Sequence, residues 1–342
     1  MKKIVTLALM LALASGVALS AQNYDVYNKL GSEGLFMTNN NSSGFGGLYN
    51  TVSGLIHYSM FSVQAQYRLS LEDQVNFKNY SLNGTMEKAN VWFRPVKGLE
   101  VAVGNKFYQT LPGAFLQVYD DYTLNGWYGE KYVGATFTYA PVTAGLNIPK
   151  MTLGDNFSMK INFGLNVAIA KNFNIGAAYK MEKESIGVFF NYGGVKNFYL
   201  GGGYTFNGES LVSDILKKSF DDAHVFAFTL LYSPAKFSFG ADAELSITNK
   251  KGTPLYAGAM FAMNLTKAVA FKVDAKYFAS FGDAGSDNNP YSLTVHPRVI
   301  FVTGRHQLIG GAKLAFNDST GSSNSKTDFT FAIPVSWKYT FK

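Results

Sequence analysis

The chain has 342 residues, 47% hydrophobic and 15% aromatic, but only 15% charged, well below the roughly 25% usual in soluble domains. Its net charge of +7 includes Lys2 and Lys3, and no dense Lys/Arg cluster or aromatic RNA motif accompanies it, so nucleic-acid binding is excluded. Cysteine is absent, which suits an exported protein that does not rely on disulfides.

Residues 1–21 read as a cleaved signal peptide. Lys2 and Lys3 form a basic start, Ile4–Ala14 an apolar core, and Ala18, Ser20 and Ala21 supply small residues for cleavage. After it, no apolar run approaches the 18 or so residues of a spanning helix. Residues 22–60 are the least regular stretch. They are expected to form an N-terminal segment inside or below the rest of the fold, with an additional pair of strands as the alternative.

From Phe61 to the end (61–342) apolar residues recur at every second position. Phe61, Val63, Ala65, Tyr67, Leu69 and Leu71 alternate with Gln64, Gln66, Arg68 and Ser70. The longest example is 157–170, where Phe157, Met159, Ile161, Phe163, Leu165, Val167 and Ile169 alternate with Ser158, Lys160, Asn162, Gly164 and Asn166. Side chains on a strand point alternately to opposite faces, so each run has one apolar and one wet face. The runs span about 8 to 14 residues, near the 9 to 11 or so that a tilted strand needs to cross a bilayer. About sixteen such runs follow one another. Tight joins, such as Ala140-Pro141, Pro234-Ala235 and Gly304-Arg305, tend to alternate with longer loops. The predicted fold is therefore all-β: a transmembrane antiparallel β-barrel with short periplasmic turns and longer extracellular loops. Leu211, Val212, Ile215 and Leu216 have helical spacing, so loop 208–222 is expected to hold a short helix.

From Phe61 onward this architecture resembles the porin-like outer-membrane barrels of bacteria with two membranes. The sharpest local feature is the last strand, with Trp337, Tyr339 and Phe341 on one face. The resemblance implies an integral outer-membrane location, contact with outer-membrane lipid and passage of small solutes. It also implies recognition of the strand ending at Phe341 by the barrel-insertion machinery, and often a homotrimer. Lys342 after that aromatic end departs from the family pattern. Pro297 and Pro334 are a second departure: each removes a ladder hydrogen bond, so a bulge or rim position is expected there.

The wet face carries the candidate site. By alternation, the pore lining comprises Arg68, Arg94, Glu100, Lys106, Lys160, Lys180, Asp242, Glu244, Lys272, Asp274, Lys276, Arg298 and Lys313, with Asp328 and Lys338 on the same face. Lys or Arg facing lipid would cost about 2 to 4 kcal/mol at the midplane, so these groups point inward. Basic groups outnumber acidic ones two to one, which predicts an aqueous pore for small hydrophilic solutes with weak anion preference. The alternatives are a transporter of hydrophobic solutes plugged by residues 22–60, or a surface structural or adhesion protein. Loop 110–130, the longest after Phe61, is the expected constriction.

Nothing points to catalysis, a metal or a cofactor. His57-Tyr58-Ser59 resembles the His and Ser of outer-membrane phospholipase but lacks any accompanying pattern. His224, His296 and His306 have no ligand spacing. Gly201–Gly203 and Gly310-Gly311 read as bends, or as room for neighbouring side chains.

Overall fold

A computed structural model describes residues 23–32, 35–38, 43–45, 47–73, 80–107, 114–115, 123–124, 130–152, 158–216, 223–248, 252–282, 289–318 and 327–341. The signal-peptide segment and Lys342 lie outside them. Twenty-two hydrogen-bonded segments form one antiparallel sheet that closes on itself. Four strands are interrupted once each, so the wall has eighteen strands. These are β1 (Asn23–Ser32 with Leu35–Thr38), β2 (Ser43–Phe45 with Leu48–Tyr58), β3 (Phe61–Asp73), β4 (Tyr80–Phe93), β5 (Leu99–Phe107) and β6 (Glu130–Tyr139). They continue as β7 (Val142–Thr152), β8 (Ser158–Ala170), β9 (Phe173–Lys180), β10 (Ser185–Tyr192), β11 (Phe198–Gly208) and β12 (Ala223–Tyr232). The last are β13 (Phe237–Ile247), β14 (Thr253–Asn264), β15 (Val269–Phe281), β16 (Tyr291–Thr303), β17 (His306–Gly311 with Lys313–Asp318) and β18 (Asp328–Ala332 with Val335–Phe341). A short helix, α1 (Val212–Leu216), interrupts the β11–β12 connection where the helical spacing predicts one.

Closure runs through the N-terminal segment. β1 pairs with β2 on one side and with β18 on the other, from Val26 opposite Phe341 to Ser32 opposite Val335. This corrects two expectations. Residues 22–60 supply two wall strands rather than a plug, and the count is eighteen rather than about sixteen. All the runs recognised from Phe61 onward are strands; the missing pair is N-terminal. Asn28 and Asn50 explain the miss. Both occupy the outward face, in alternation with Val26, Leu30, Leu48 and Val52, where an apolar residue is expected. Each amide donates to the other across the strands at 3.1 Å, so neither presents an unpaired polar group to lipid.

Burial is inverted relative to a soluble protein. On β8, Phe163 and Leu165 are 49% and 46% exposed, while Asn162 and Asn166 are each 3% exposed. An apolar exterior around a polar interior is what a bilayer imposes on a closed barrel, because lipid solvates no backbone or side-chain polar group. At the end carrying the tight turns, an aromatic girdle rims this exterior. Phe61 stacks on Phe93 at 4.8 Å, and Phe173 meets Tyr192, and Tyr232 meets Phe237, each at 6.0 Å.

The two prolines share one irregularity. Pro297 stays in register with Val273, and the neighbouring strand gives way instead, breaking at Ala312, whose N–H donates to the Pro297 carbonyl at 3.0 Å. Pro334 lies in the break of β18, where its carbonyl accepts from Gly311 at 3.2 Å. A Cβ on Gly311 would sit 2.5 Å from the Pro297 oxygen, so the close approach requires glycine. The bulge expected from sequence is thus built jointly by β16, β17 and β18.

Candidate functional site in the barrel interior

Alternation and ladder register place the inward side chains in two unlike arcs. The first is basic and runs over seven adjacent strands, from β15 through the closure to β3. Lys272 and Lys276 lie on β15, Arg298 on β16, Lys313 on β17, Lys338 on β18, Lys29 on β1 and Arg68 on β3. Lys338 is directly opposite Lys29, and the row continues through Thr51 to Arg68. Aromatic faces hold these cations: Arg68 sits 4.4 Å from the centre of the Tyr49 ring, and Lys338 4.4 Å from that of Tyr27. Lys29 missed the sequence-based set because it lies in the irregular N-terminal stretch.

Acidic groups inside this arc are few. Arg298 pairs with Asp274 at 2.7 Å, a charge contact more than an aligned hydrogen bond, and contacts His296 Nδ1 at 2.9 Å. Glu87, displaced at a bulge in β4, accepts from Gln66 and lies 3.9 Å from Arg68.

The second arc, on β7 to β10, is centred on amides. Asn162 donates to Asn147 at 3.3 Å, and Asn174 donates to Asn191 at 3.0 Å. Lys160 and Lys180 flank it, Lys180 directly opposite Asn162. Seven of the inward basic residues are therefore grouped on one side of the interior, against Lys160 and Lys180 on the other, which alternation along single strands does not reveal.

Between the arcs, Asp242 and Glu244 lie on β13, and both are engaged. Asp242 accepts from Thr229 at 2.7 Å. Glu244, 1% exposed, accepts from the Ser210 hydroxyl and the Leu211 N–H, both at 2.8 Å. These bonds draw the β11–β12 connection into the barrel. There Leu211, Val212 and Leu216 pack on Tyr256 and Phe278, inward residues of β14 and β15 whose rings stack at 5.0 Å. Helical spacing predicts α1 but not that it folds inward. The signal was Glu244 itself, a carboxylate at an inward position with no basic residue beside it in sequence.

Arg94 is not mid-barrel. It follows the end of β4, pairs with Glu100 at 2.7 Å and donates to Ser62 at 2.7 Å, so both Arg94 and Glu100 belong to the rim that carries the tight turns. The Lys106 side chain lies outside the described residues. Ser59 sits in a turn at φ 51°, and His57 bonds Ser62, not Ser59, at 2.7 Å, so the suspected His-x-Ser pair does not form. His224 and His306 face outward. His224 accepts or donates a 2.7 Å bond with Tyr204, and His306 stacks on Trp337.

The β5–β6 connection contributes a two-residue ribbon, Ala114–Phe115 paired with Thr123–Leu124. It lies against β10 and β11, five strands around the wall from its roots. This contact of Ala114–Phe115 is the basis for testing loop 110–130 as the constriction. Deleting residues 113–126 should raise single-channel conductance. An unchanged conductance in a correctly inserted deletion variant would contradict that role.

The architecture has close counterparts among solved structures. OprD from Pseudomonas aeruginosa, described as an outer membrane protein, superposes with a TM-score of 0.59 at 10% identity, over 94% of this chain and 95% of that one. OccK5 of the same organism gives 0.60 at 9% identity over 94% and 99%. OccAB3 of Acinetobacter baumannii gives 0.61 at 8% identity over 93% and 100%. The chain has the OprD-type barrel fold. The likeness covers both chains almost end to end. No protein-family model matches the sequence, and no curated protein matches it. At these identities the correspondence is one of fold.

Proposed function

We propose that this protein is an outer-membrane channel for passive diffusion of small hydrophilic solutes, with a modest preference for anions. The observation that carries this reading is the contiguous basic arc inside a closed eighteen-strand barrel whose exterior is apolar. About sixteen or more strands enclose more space than side chains fill, which supports an aqueous passage. Solved counterparts named as OprD and Occ proteins of the outer membrane support the same class and location. The described residues of 22–60 are wall strands, which favours this reading over a transporter plugged by that segment. The strand ending at Phe341, which closes the barrel on β1, is the segment the insertion machinery would read, and small solutes and lipid are the other partners.

Solutes bearing carboxylate or phosphate groups would be drawn along the basic side, while the amide side offers uncharged donors and acceptors. Under a salt gradient across a planar bilayer, the reversal potential should indicate anion preference at low salt and approach zero selectivity as salt rises, since the Debye length shrinks to about 3 Å at 1 M. Cation preference at low salt would show that loop carboxylates, not the basic arc, set the field.

A further inference from the structure

The tight turns form a structure of their own at the periplasmic end. Each turn carbonyl accepts a backbone hydrogen bond from the next strand or turn around the barrel. Arg94 donates to Met60, Thr138 to Gly98, Ala168 to Pro141 and Gly193 to Asn172. Ser233 donates to Asn197, Asn264 to Lys236, Val302 to Ala268 and Thr340 to Arg305. All of these bonds are between 2.7 and 3.0 Å, so from Met60 round to Thr340 the rim is stitched from one turn to the next.

Six of the eight turns are basic; Ser59-Met60 and Ala140-Pro141 carry no charge. The eight connections contain seven basic residues and no acidic one. Arg94 is committed to Glu100. Lys97, Lys171, Lys196, Lys236, Lys267 and Arg305 are exposed, one to a turn, and none pairs with a carboxylate among the described residues. The longer connections at the other end contain eleven acidic and seven basic residues. Each collar cation sits one to three residues beyond the aromatic girdle or the apolar belt. Phe173 follows Lys171, Phe198 follows Lys196, Phe237 follows Lys236, and His306 follows Arg305. Aromatic girdles lie at headgroup depth, so the collar stands where lipid phosphates lie.

We infer that this collar is a binding surface for anionic phospholipid headgroups of the periplasmic leaflet. Its spacing, one exposed cation on each of six turns around the rim, fits a shell of individual lipids better than one compact ligand, and it is continuous with the lipid-facing belt. The inference does not depend on what passes through the interior. A juxtamembrane cation near an anionic surface strengthens association by about fivefold.

Trp337 provides the probe, since it is outward-facing and stacks on His306 beside Arg305. In a W92F/W127F background it is the sole tryptophan. Its quenching is measured in bilayers of brominated phosphatidylglycerol and of brominated phosphatidylcholine. The expected result is an apparent preference for phosphatidylglycerol of about fivefold, reduced at high salt. The double variant Lys267→Gln with Arg305→Gln should bring it close to onefold, while Lys183→Gln, in a connection at the opposite end of the barrel, should leave it unchanged. Heat-modifiable gel migration confirms that each variant is a folded barrel. Equal quenching by the two lipids in the parent, or a preference unaffected by removing Lys267 and Arg305, would overturn the inference. So would absence of lipid preference together with co-sedimentation on peptidoglycan, which would assign the collar to the cell wall.

Discussion

Changing Lys272 and Lys276 to glutamate should move the reversal potential from anion towards cation preference. Both lie inward on β15, and the substitution moves the interior by four charges towards negative. The variant has the larger effect at low salt, because screening weakens any fixed field in an aqueous passage. Asp274 lies between the two positions and is held by Arg298 at 2.7 Å. In the variant, the three consecutive inward carboxylates on one strand reinforce one another. A reversal potential unchanged by both substitutions would place the selectivity determinant elsewhere on the arc, at Lys29, Arg68 and Lys338.

Glu244→Ala should release the β11–β12 connection from the interior and raise conductance. Two charge-assisted bonds, from Ser210 and Leu211, end on one carboxylate oxygen. Hydrogen bonds to charged groups contribute about 1.5 to 3 kcal/mol each, so the substitution removes about 3 kcal/mol or more of anchoring. The apolar packing of Leu211, Val212 and Leu216 on Tyr256 and Phe278 remains, so the segment should exchange between docked and released positions. The expected record is therefore a channel that flickers between the parent level and a higher one. Glu244→Gln keeps an acceptor and should lie between the two. A steady parent-level current in Glu244→Ala would show that the apolar contacts alone fix the segment.

The wall was legible where one face was uniformly apolar. In 157–170 and in every later strand, period-two alternation and the succession of short and long connections suffice, because lipid tolerates no exception that is not paired. The N-terminal strands were illegible for the converse reason: Asn28 and Asn50 break the pattern individually and restore it together, a relation visible only once β1 and β2 are in register. Inward charges were largely readable by parity. Their grouping was not, because neighbours around a barrel are set by closure, which brings Lys338 opposite Lys29 from the two ends of the chain. Arg94 was misplaced for a local reason: Pro95 follows it, so the strand ends at Phe93 and the side chain turns to the rim. The inward fold of α1 depends on a single buried carboxylate 28 residues beyond the helix end, a link that no local pattern encodes.

The central claim is that the barrel encloses a water-filled passage. Single-channel recording of the refolded protein in a planar bilayer tests it most directly. The account predicts steady, ohmic current steps, larger in the 113–126 deletion and anion-preferring at low salt. Electrical silence from protein whose insertion is confirmed by heat-modifiable migration and protease protection would contradict it.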